Sequence, residues 1–315
     1  MAITSFVDDK SRYLKAYHEK DYQQLADENI KNREALSFYI YEKDTLYGYQ
    51  INQNQPLAKL YEMPFFVVRF IFANVDTLHD DEQEKQMIRL LLNLKAQMEQ
   101  TSGYYSIRIP SHIIDLIRAY NEVLNHAIFC GGTVEEYTYD YHVVENNNAA
   151  LNLFFADFSY FEKEKPKILK IIDKSFSAFP GQYHISPVTA PKAGCVYQNW
   201  IAQSFDESKI VIAEINGEPV GFLSISENEY AVDVALTAVS PTSRKNGVYK
   251  AMLAYGNHYA NASKRFFVVG TQFDNFASQA GLQSFGLKPY KSVYNIHVDN
   301  SMKSLSKVPG NGPTP

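Results

Sequence analysis

Thr237-Ala238-Val239-Ser240-Pro241-Thr242-Ser243-Arg244-Lys245-Asn246-Gly247-Val248-Tyr249-Lys250 runs from an alternating apolar stretch through a polar turn into helical spacing. A strand that turns this directly into a helix leaves the first helical amides without intrahelical acceptors, at the positive end of the helix dipole. Such a turn suits an anion, a diphosphate in particular. Gly247 lets the backbone approach closely, and Arg244, Lys245 and Lys250 add positive charge.

Outward from that turn, the apolar period predicts an ordered series of elements. Upstream, residues 210–215 and 219–224 flank Asn216-Gly217, a strong hairpin signal, and 230–239 continues the meander as a third antiparallel strand. Downstream, 249–262 reads as a helix, 265–271 as a strand, 275–284 as a helix stopped by Gly286, and 290–298 as a last strand. The first half repeats part of this order. Residues 64–74 are β-rich, 80–100 are helical through Met87, Ile88, Leu91, Leu92 and Leu94, and 104–109 form a strand. A helix over 111–128 is then ended by Gly131 and Gly132, and 134–144 resumes strand alternation. Superposed without gaps, Gly131 falls on Gly286, Tyr139 on Tyr294 and His142 on His297.

The expected fold class is α/β (α+β), with two tandem domains, each a mixed, mostly antiparallel sheet flanked by helices. The asparagine run in 145–148 sets the boundary, giving domains over 1–148 and 149–315, with an unpacked tail at 308–315.

Composition bounds the function. The 315 residues are 45% hydrophobic and 21% charged, which is the balance of a soluble globular chain. A net charge of -5 offers no general attraction for nucleic acid or anionic lipid, so neither partner is expected. The two cysteines match no metal-ligand spacing, and no metal is expected. Residues 1–20 are charged without an apolar run, and the longest apolar stretch, 65–72, is broken by Arg69 and far too short to span a bilayer. A cytoplasmic location and a monomer or homodimer are the expectations.

The turn resembles the pyrophosphate loop of the GNAT acyltransferase superfamily, in which Arg or Gln, two residues, Gly, one residue and a second small residue form the pattern. Arg244 and Gly247 match it, while Tyr249 takes the last small position. The resemblance covers roughly 166–298 with motifs and the first half by topology alone. It implies acyl-CoA as co-substrate, acetyl-CoA or 3-hydroxybutyryl-CoA, gripped by main-chain groups of Thr237, Ala238 and Val239, by the turn Arg244, Lys245, Asn246, Gly247, Val248 and Tyr249, and by Asn275. It further implies that the Thr237 amide serves as oxyanion donor and Asp233 as general base. Strand alternation places Asp233 on one face with Ala235 and Thr237. Leu282 stands where the family commonly has a proton-donating tyrosine, so the thiolate's acid is left open between another tyrosine and solvent. In the first half the turn carries Asp76, Asp80, Asp81 and Glu82, which would repel a diphosphate.

The run 270–279 and the strand carrying His297 are similar to dTDP-amino-sugar N-acyltransferases of the fucosamine type, as is the patch with His184, Tyr197 and Trp200. That likeness implies a nucleotide-sugar acceptor contacted by His184, Tyr197, Trp200, Gln272 and His297, with an acetyl or short hydroxyacyl group moved to its amine. The alternatives are a transferase that adds amino acids from charged tRNA to cell-wall peptide, and a CoA-binding module without turnover.

Overall fold

The computed structural model describes residues 27, 30–73, 75, 80–111, 114–124, 127–142, 150–176, 181–207 and 209–301. The readings made on 1–20, 76, 145–148 and 308–315 lie outside the described residues. The chain forms two compact units, Met1–Cys130 with Val293–Pro315, and Gly131–Ser292.

The first unit carries β1 (Phe38–Glu42), β2 (Thr45–Gln53), α1 (Gln55–Tyr61), β3 (Phe65–Ala73), α2 (Asp81–Gln100), β4 (Tyr104–Pro110) and α3 (Ile114–Val123). Its strand order is β1-β2-β3-β4-β11, with β3 and β4 parallel and the other pairs antiparallel. The strand β11 (Lys288–Asp299) comes from the far end of the chain. Met87, Leu90, Leu91, Leu94 and Met98 recur at helical spacing along α2 and close over Val68, Phe70, Ile107 and Ile296.

The second unit begins within β5 (Ile128–Thr138) and continues through β6 (Leu151–Ala156), α4 (Phe158–Phe176), α5 (Gln182–Ile185), α6 (Ala193–Glu207), β7 (Lys209–Ile215), β8 (Glu218–Glu227), β9 (Ala231–Val239), α7 (Val248–Ala262), β10 (Phe266–Gln272) and α8 (Phe276–Phe285). The order is β5-β10-β9-β8-β7-β6. Only β9 and β10 run parallel. Asn216 and Gly217 turn β7 into β8 with φ of 53° and 78°, the left-handed pair of a two-residue hairpin. One sheet face is closed by Val248, Met252 and Leu253 of α7 and Leu282 of α8, packed on Leu223, Ile225, Val232, Val234, Phe267 and Val269. The helix α4 packs on β8 and β9 as well, outside that core.

The compact units therefore do not follow the halves of the chain. Each half sends its last strand to the other unit: β5 pairs with β10, and β11 pairs with β4. Two local readings are corrected. The helix expected over 111–128 spans Ile114–Val123, and the glycines expected to end it lie inside β5. Gly131 takes φ +81°, and the Phe273 ring lies so close to Gly132 that a Cβ there would collide with it. They serve a bent strand under an aromatic ring, a need that local composition does not distinguish from a helix stop. The gapless repeat alignment also fails. The pairing register puts Thr133 opposite Gln272 and Val293 opposite Pro110, the last residues of β10 and β4, so Thr133 and Val293 are the equivalent pair. His142 lies beyond β5 while His297 lies within β11.

Candidate active site in the second unit

The β9 strand is held on one side by β8 and on the other by β10 over a short stretch. β9 and β10 pair only from Ala231 with Phe266 to Val234 with Val269. Beyond Val269, β10 pairs on with β5, so Ala235–Val239 is left with a partner on the β8 side alone. The ladder fixes which main-chain groups face that opening. Ser240 N–H donates to the Val220 carbonyl at 2.7 Å, which makes that pair hydrogen-bonded. Antiparallel pairs alternate, so Ala238 bonds across to Phe222, while Thr237 and Val239 direct their N–H and C=O away from β8. Arg244 agrees with this direction, since its Nε donates to the Val239 carbonyl at 3.3 Å.

The register shifts between Ser224 and Ile225, leaving Ala235 as an extra residue on β9. That bulge corrects the face assignment made by alternation. Cross-strand partners share a face. Thr237 is opposite Leu223 and Val234 opposite Ile225, both in the core under α7. Asp233 is opposite Ser226, on the other face with Leu236 and Ala238. The Thr237 and Asp233 side chains thus point to opposite sides of the sheet, because one inserted residue inverts the alternation. The Thr237 hydroxyl donates to the Phe222 carbonyl at 3.0 Å. Asp233 is half-buried and accepts from the Asn228 side-chain amide at 3.4 Å. Asn228 also accepts from the amides of Tyr230 and Ala231, and so ties the turn before β9 to Asp233. Sequence reasoning missed Asn228, although an asparagine between two glutamates before a strand is a turn signal.

After β9 a single 3-10 turn, Pro241–Ser243, leads to the start of α7. Lys245 and Gly247 take positive φ, 67° and 76°, and residues 244–247 are exposed. No side chain caps α7, and the amides of 246–250 meet no acceptor among the described residues. A Cβ on Gly247 would have nothing within 4 Å. The turn is an open set of donors with three basic side chains around it. Tyr249 does not fill it: its ring packs against Gly281, and its hydroxyl lies 3.3 Å from the Ser278 hydroxyl on α8. Burial pushes the Tyr249 phenol up to about 12. Asn275 acts as the cap of α8, accepting from Ser278 N at 3.3 Å while its amide donates to the Thr271 hydroxyl.

The acceptor candidates divide. Gln272 continues β10 on the face of Val268 and Asp233, and its Oε1 comes within 3.9 Å of a Cβ built on Gly131, where Ile185 of α5 also approaches. His184 precedes Ile185; its Nδ1 is buried without a partner, and burial lowers its pKa. Tyr197 is buried and stacked at 4.5 Å on Phe176, with His184 on a nearly parallel plane 6.1 Å away. Its ring supports His184 and leaves little face for a ligand. Trp200 is half-buried on α6. His297 belongs to the first unit, fully buried, with Nδ1 2.9 Å from the Tyr104 hydroxyl. The structure brings Gln272 and Ile185 together around Gly131, holds His184 beside Tyr197 and Gly181, and leaves His297 in the first unit.

One buried group had no forerunner in the sequence reading. Glu136 on β5 has no exposed surface, neither carboxyl oxygen has a hydrogen-bond partner, and burial raises its pKa against a smaller opposing effect of Gln283. It reaches this unit through strand exchange, which one-dimensional spacing does not reveal.

Among the described residues no helix is long and apolar enough to cross a membrane. No curated protein matches the sequence. Solved structures of similar fold include a GCN5-related N-acetyltransferase from Kribbella flavida, at TM-score 0.53 and 10% identity over 89% of this chain and 96% of that one. Another is a GCN5-related N-acetyltransferase from Sphaerobacter thermophilus, at TM-score 0.53 and 9% identity over 87% of this chain and 85% of that one. A functionally unknown conserved protein from Staphylococcus epidermidis follows at TM-score 0.52 and 15% identity, over 84% and 94% of the two chains. Residues 168–287, which hold the bulged strand, its one-sided opening and the open turn, match the profile of the Acetyltransferase (GNAT) family.

Proposed function

We propose that the second unit transfers an acetyl or short hydroxyacyl group from acyl-CoA to the amine of a nucleotide-linked amino sugar of the dTDP type. The observation that carries the acyl-transfer reading is the end of β9–β10 pairing at Val234 and Val269, with outward main-chain groups at Thr237 and Val239 leading to the uncapped turn at Gly247. Bound acyl-CoA supplies a thioester. The amides of 246–250 hold its diphosphate, with Lys245 and Lys250 adding charge while Arg244 stays on the Val239 carbonyl. The Thr237 N–H stabilises the oxygen that becomes negative as the amine attacks, and collapse of that intermediate breaks the C–S bond and releases CoA as a thiolate that takes its proton from solvent. Asp233, on the face shared with Gln272, takes the proton from the attacking nitrogen directly or through one water, and Asn228 fixes its orientation.

The amino-sugar acceptor rests on the Gln272 side chain beside Gly131, where Ile185 also approaches, and on His184, the residue before Ile185 on α5, since polar groups of this kind suit a ligand rich in hydroxyls. Calorimetry with acetyl-CoA followed by a thiol-release assay over a panel of amines tests both levels. Binding with release only for nucleotide amino sugars is the expected result. Release with simple amines alone would remove the sugar, and binding without release would remove the transfer.

A further inference from the structure

The sheet of the second unit ends at β6, and the pairing fixes what that edge offers. Phe222 directs its main-chain groups to Ala238 of β9, so Gly221 and Leu223 direct theirs to Ala213 and Val211 of β7. Ile212, between those two, then faces β6, where Phe154 is its partner, with Asn152 opposite Glu214 and Ala156 opposite Ile210. Leu151, Leu153 and Phe155 alternate with these residues and turn their N–H and C=O groups outward. Among the described residues β6 is bonded by β7 alone.

The side chains do not guard this edge. Leu151 lies in the core closed by α7, Leu153 packs against that core, and the Phe155 ring stands edge-on to Tyr255 and Tyr259 of α7, 5.3 Å from each. Phe155 is still 39% exposed. From Leu151 to Ala156 the strand carries no charge, no proline and no bulge, the devices that ordinarily keep a sheet edge from pairing. The edge strand of the first unit has such protection. β1 ends in Glu42, is followed by Lys43 and Asp44, and has the Arg33 guanidinium over the Tyr41 ring at 4.9 Å.

The alternation selects the occupant. An antiparallel strand added here must set its own outward residues against Leu151, Leu153 and Phe155. A second β6 does this about a two-fold axis at Leu153, which places Leu153 opposite Leu153 and Leu151 opposite Phe155 of the other copy, each pair exchanging two main-chain bonds. Paired residues share a face, so the exposed part of each Phe155 comes to lie on the other copy's Leu151. With no charged residue in 151–156, nothing of like charge is opposed in this register.

We propose that β6 is a homodimer interface, in which two copies of this chain pair antiparallel about Leu153 and join their sheets into one. The pairing does not depend on the acyl transfer assigned to the second unit.

Sedimentation equilibrium of the full chain should show a monomer and dimer in exchange at micromolar concentration. Phe155→Lys keeps the bonds to β7 but puts a cation where the ring meets the other copy's Leu151. It should raise the dimer dissociation constant at least about tenfold, with a native circular dichroism spectrum. Leu153→Pro removes an outward N–H at the axis and should act in the same direction. Hydrogen exchange reads the alternation amide by amide: Leu151, Leu153 and Phe155 should gain protection as concentration rises, while Asn152, Phe154 and Ala156 are protected throughout. A chain that stays monomeric at submillimolar concentration overturns the proposal, as does a dimer that Phe155→Lys leaves intact or whose outward amides exchange freely. Protection of those amides in the monomer would mean that another segment of the same chain covers the edge, and overturns it equally.

Discussion

β3 of the first unit and β9 of the second occupy the same place: each has an antiparallel strand on one side, a parallel one on the other, and a long helix next in the chain. Their surroundings differ at three points. β2 and β3 keep an unbroken register from Leu46 with Ala73 to Gln53 with Phe66, whereas β9 bulges at Ala235. The helix after β3 is capped by Asp80, which accepts from Glu82 N at 2.9 Å, and carries Asp81, Glu82 and Glu84 in its first turn, whereas α7 is uncapped beside basic residues. The buried Asp115 adds a carboxylate oxygen that accepts from Asp80 N and Gln83. In the parallel pairs, Phe65 opposite Tyr104 matches Ala231 opposite Phe266, so Val67 stands where the second unit has Asp233. One topology thus yields an uncapped turn of open amides or a capped, acidic one, according to a few side chains and one inserted residue.

The largest expected effect comes from making β9 like β3 at its acid. Asp233→Val should lower turnover by about 10²–10⁴-fold, the usual worth of a positioned base, with acetyl-CoA affinity unchanged. Thiol release against calorimetric affinity separates the two quantities. Full turnover in this variant would mean that the difference between Val67 and Asp233 carries no chemistry.

The buried titratable groups should divide the units by pH. His297 has a folded pKa near 4, below its unfolded value, so the stability it accompanies is present above about pH 6.5 and is lost as pH falls toward 4, up to about 3 kcal/mol. Glu136 is shifted the opposite way: its folded pKa is raised, so its contribution is complete below the unfolded carboxyl value and declines as pH rises. Acid should therefore weaken the first unit and rising pH the second. Trp200, the chain's single tryptophan, reports on the second unit by fluorescence, while circular dichroism reports on both. His297→Gln should flatten the acid limb, and Glu136→Gln should raise the Trp200-detected midpoint near pH 8. Identical pH profiles for the two signals would remove this distinction.

Giving α7 an acidic start is the converse exchange. Gly247→Asp places a carboxylate among the free amides and a side chain at φ +76°. Acetyl-CoA affinity should fall by about tenfold to a hundredfold, read by calorimetry, while Trp200 fluorescence keeps its native spectrum.

Much of the second unit was legible because its signals are local. Asn216-Gly217 sets its own hairpin, and Gly286 ends α8 at φ +108°. The uncapped start of α7 is equally local, since it depends on Gly247 and a few neighbouring residues. What escaped depends on partners distant in sequence. The bulge at Ala235 exists only relative to β8, and without it alternation sets Asp233 on the wrong face. The exchange of β5 and β11 is a choice between edges that either strand's own pattern fits, so neither the placement of His297 nor the burial of Glu136 could be read from spacing.

The smallest effect tests whether the first unit is closed by its cap alone. Asp80→Ala frees the Glu82 amide and removes one carboxylate, but Asp81, Glu82, Glu84 and the buried Asp115 remain around the start of α2. Loss of the cap should cost about 1 kcal/mol, a fall of roughly 2–4 °C in thermal midpoint. The number of acetyl-CoA molecules bound per chain should not change, because repulsion at that helix start survives the substitution. A second equivalent bound in Asp80→Ala would mean that the two helix starts differ by one side chain only, and that the first unit retains a latent copy of the site.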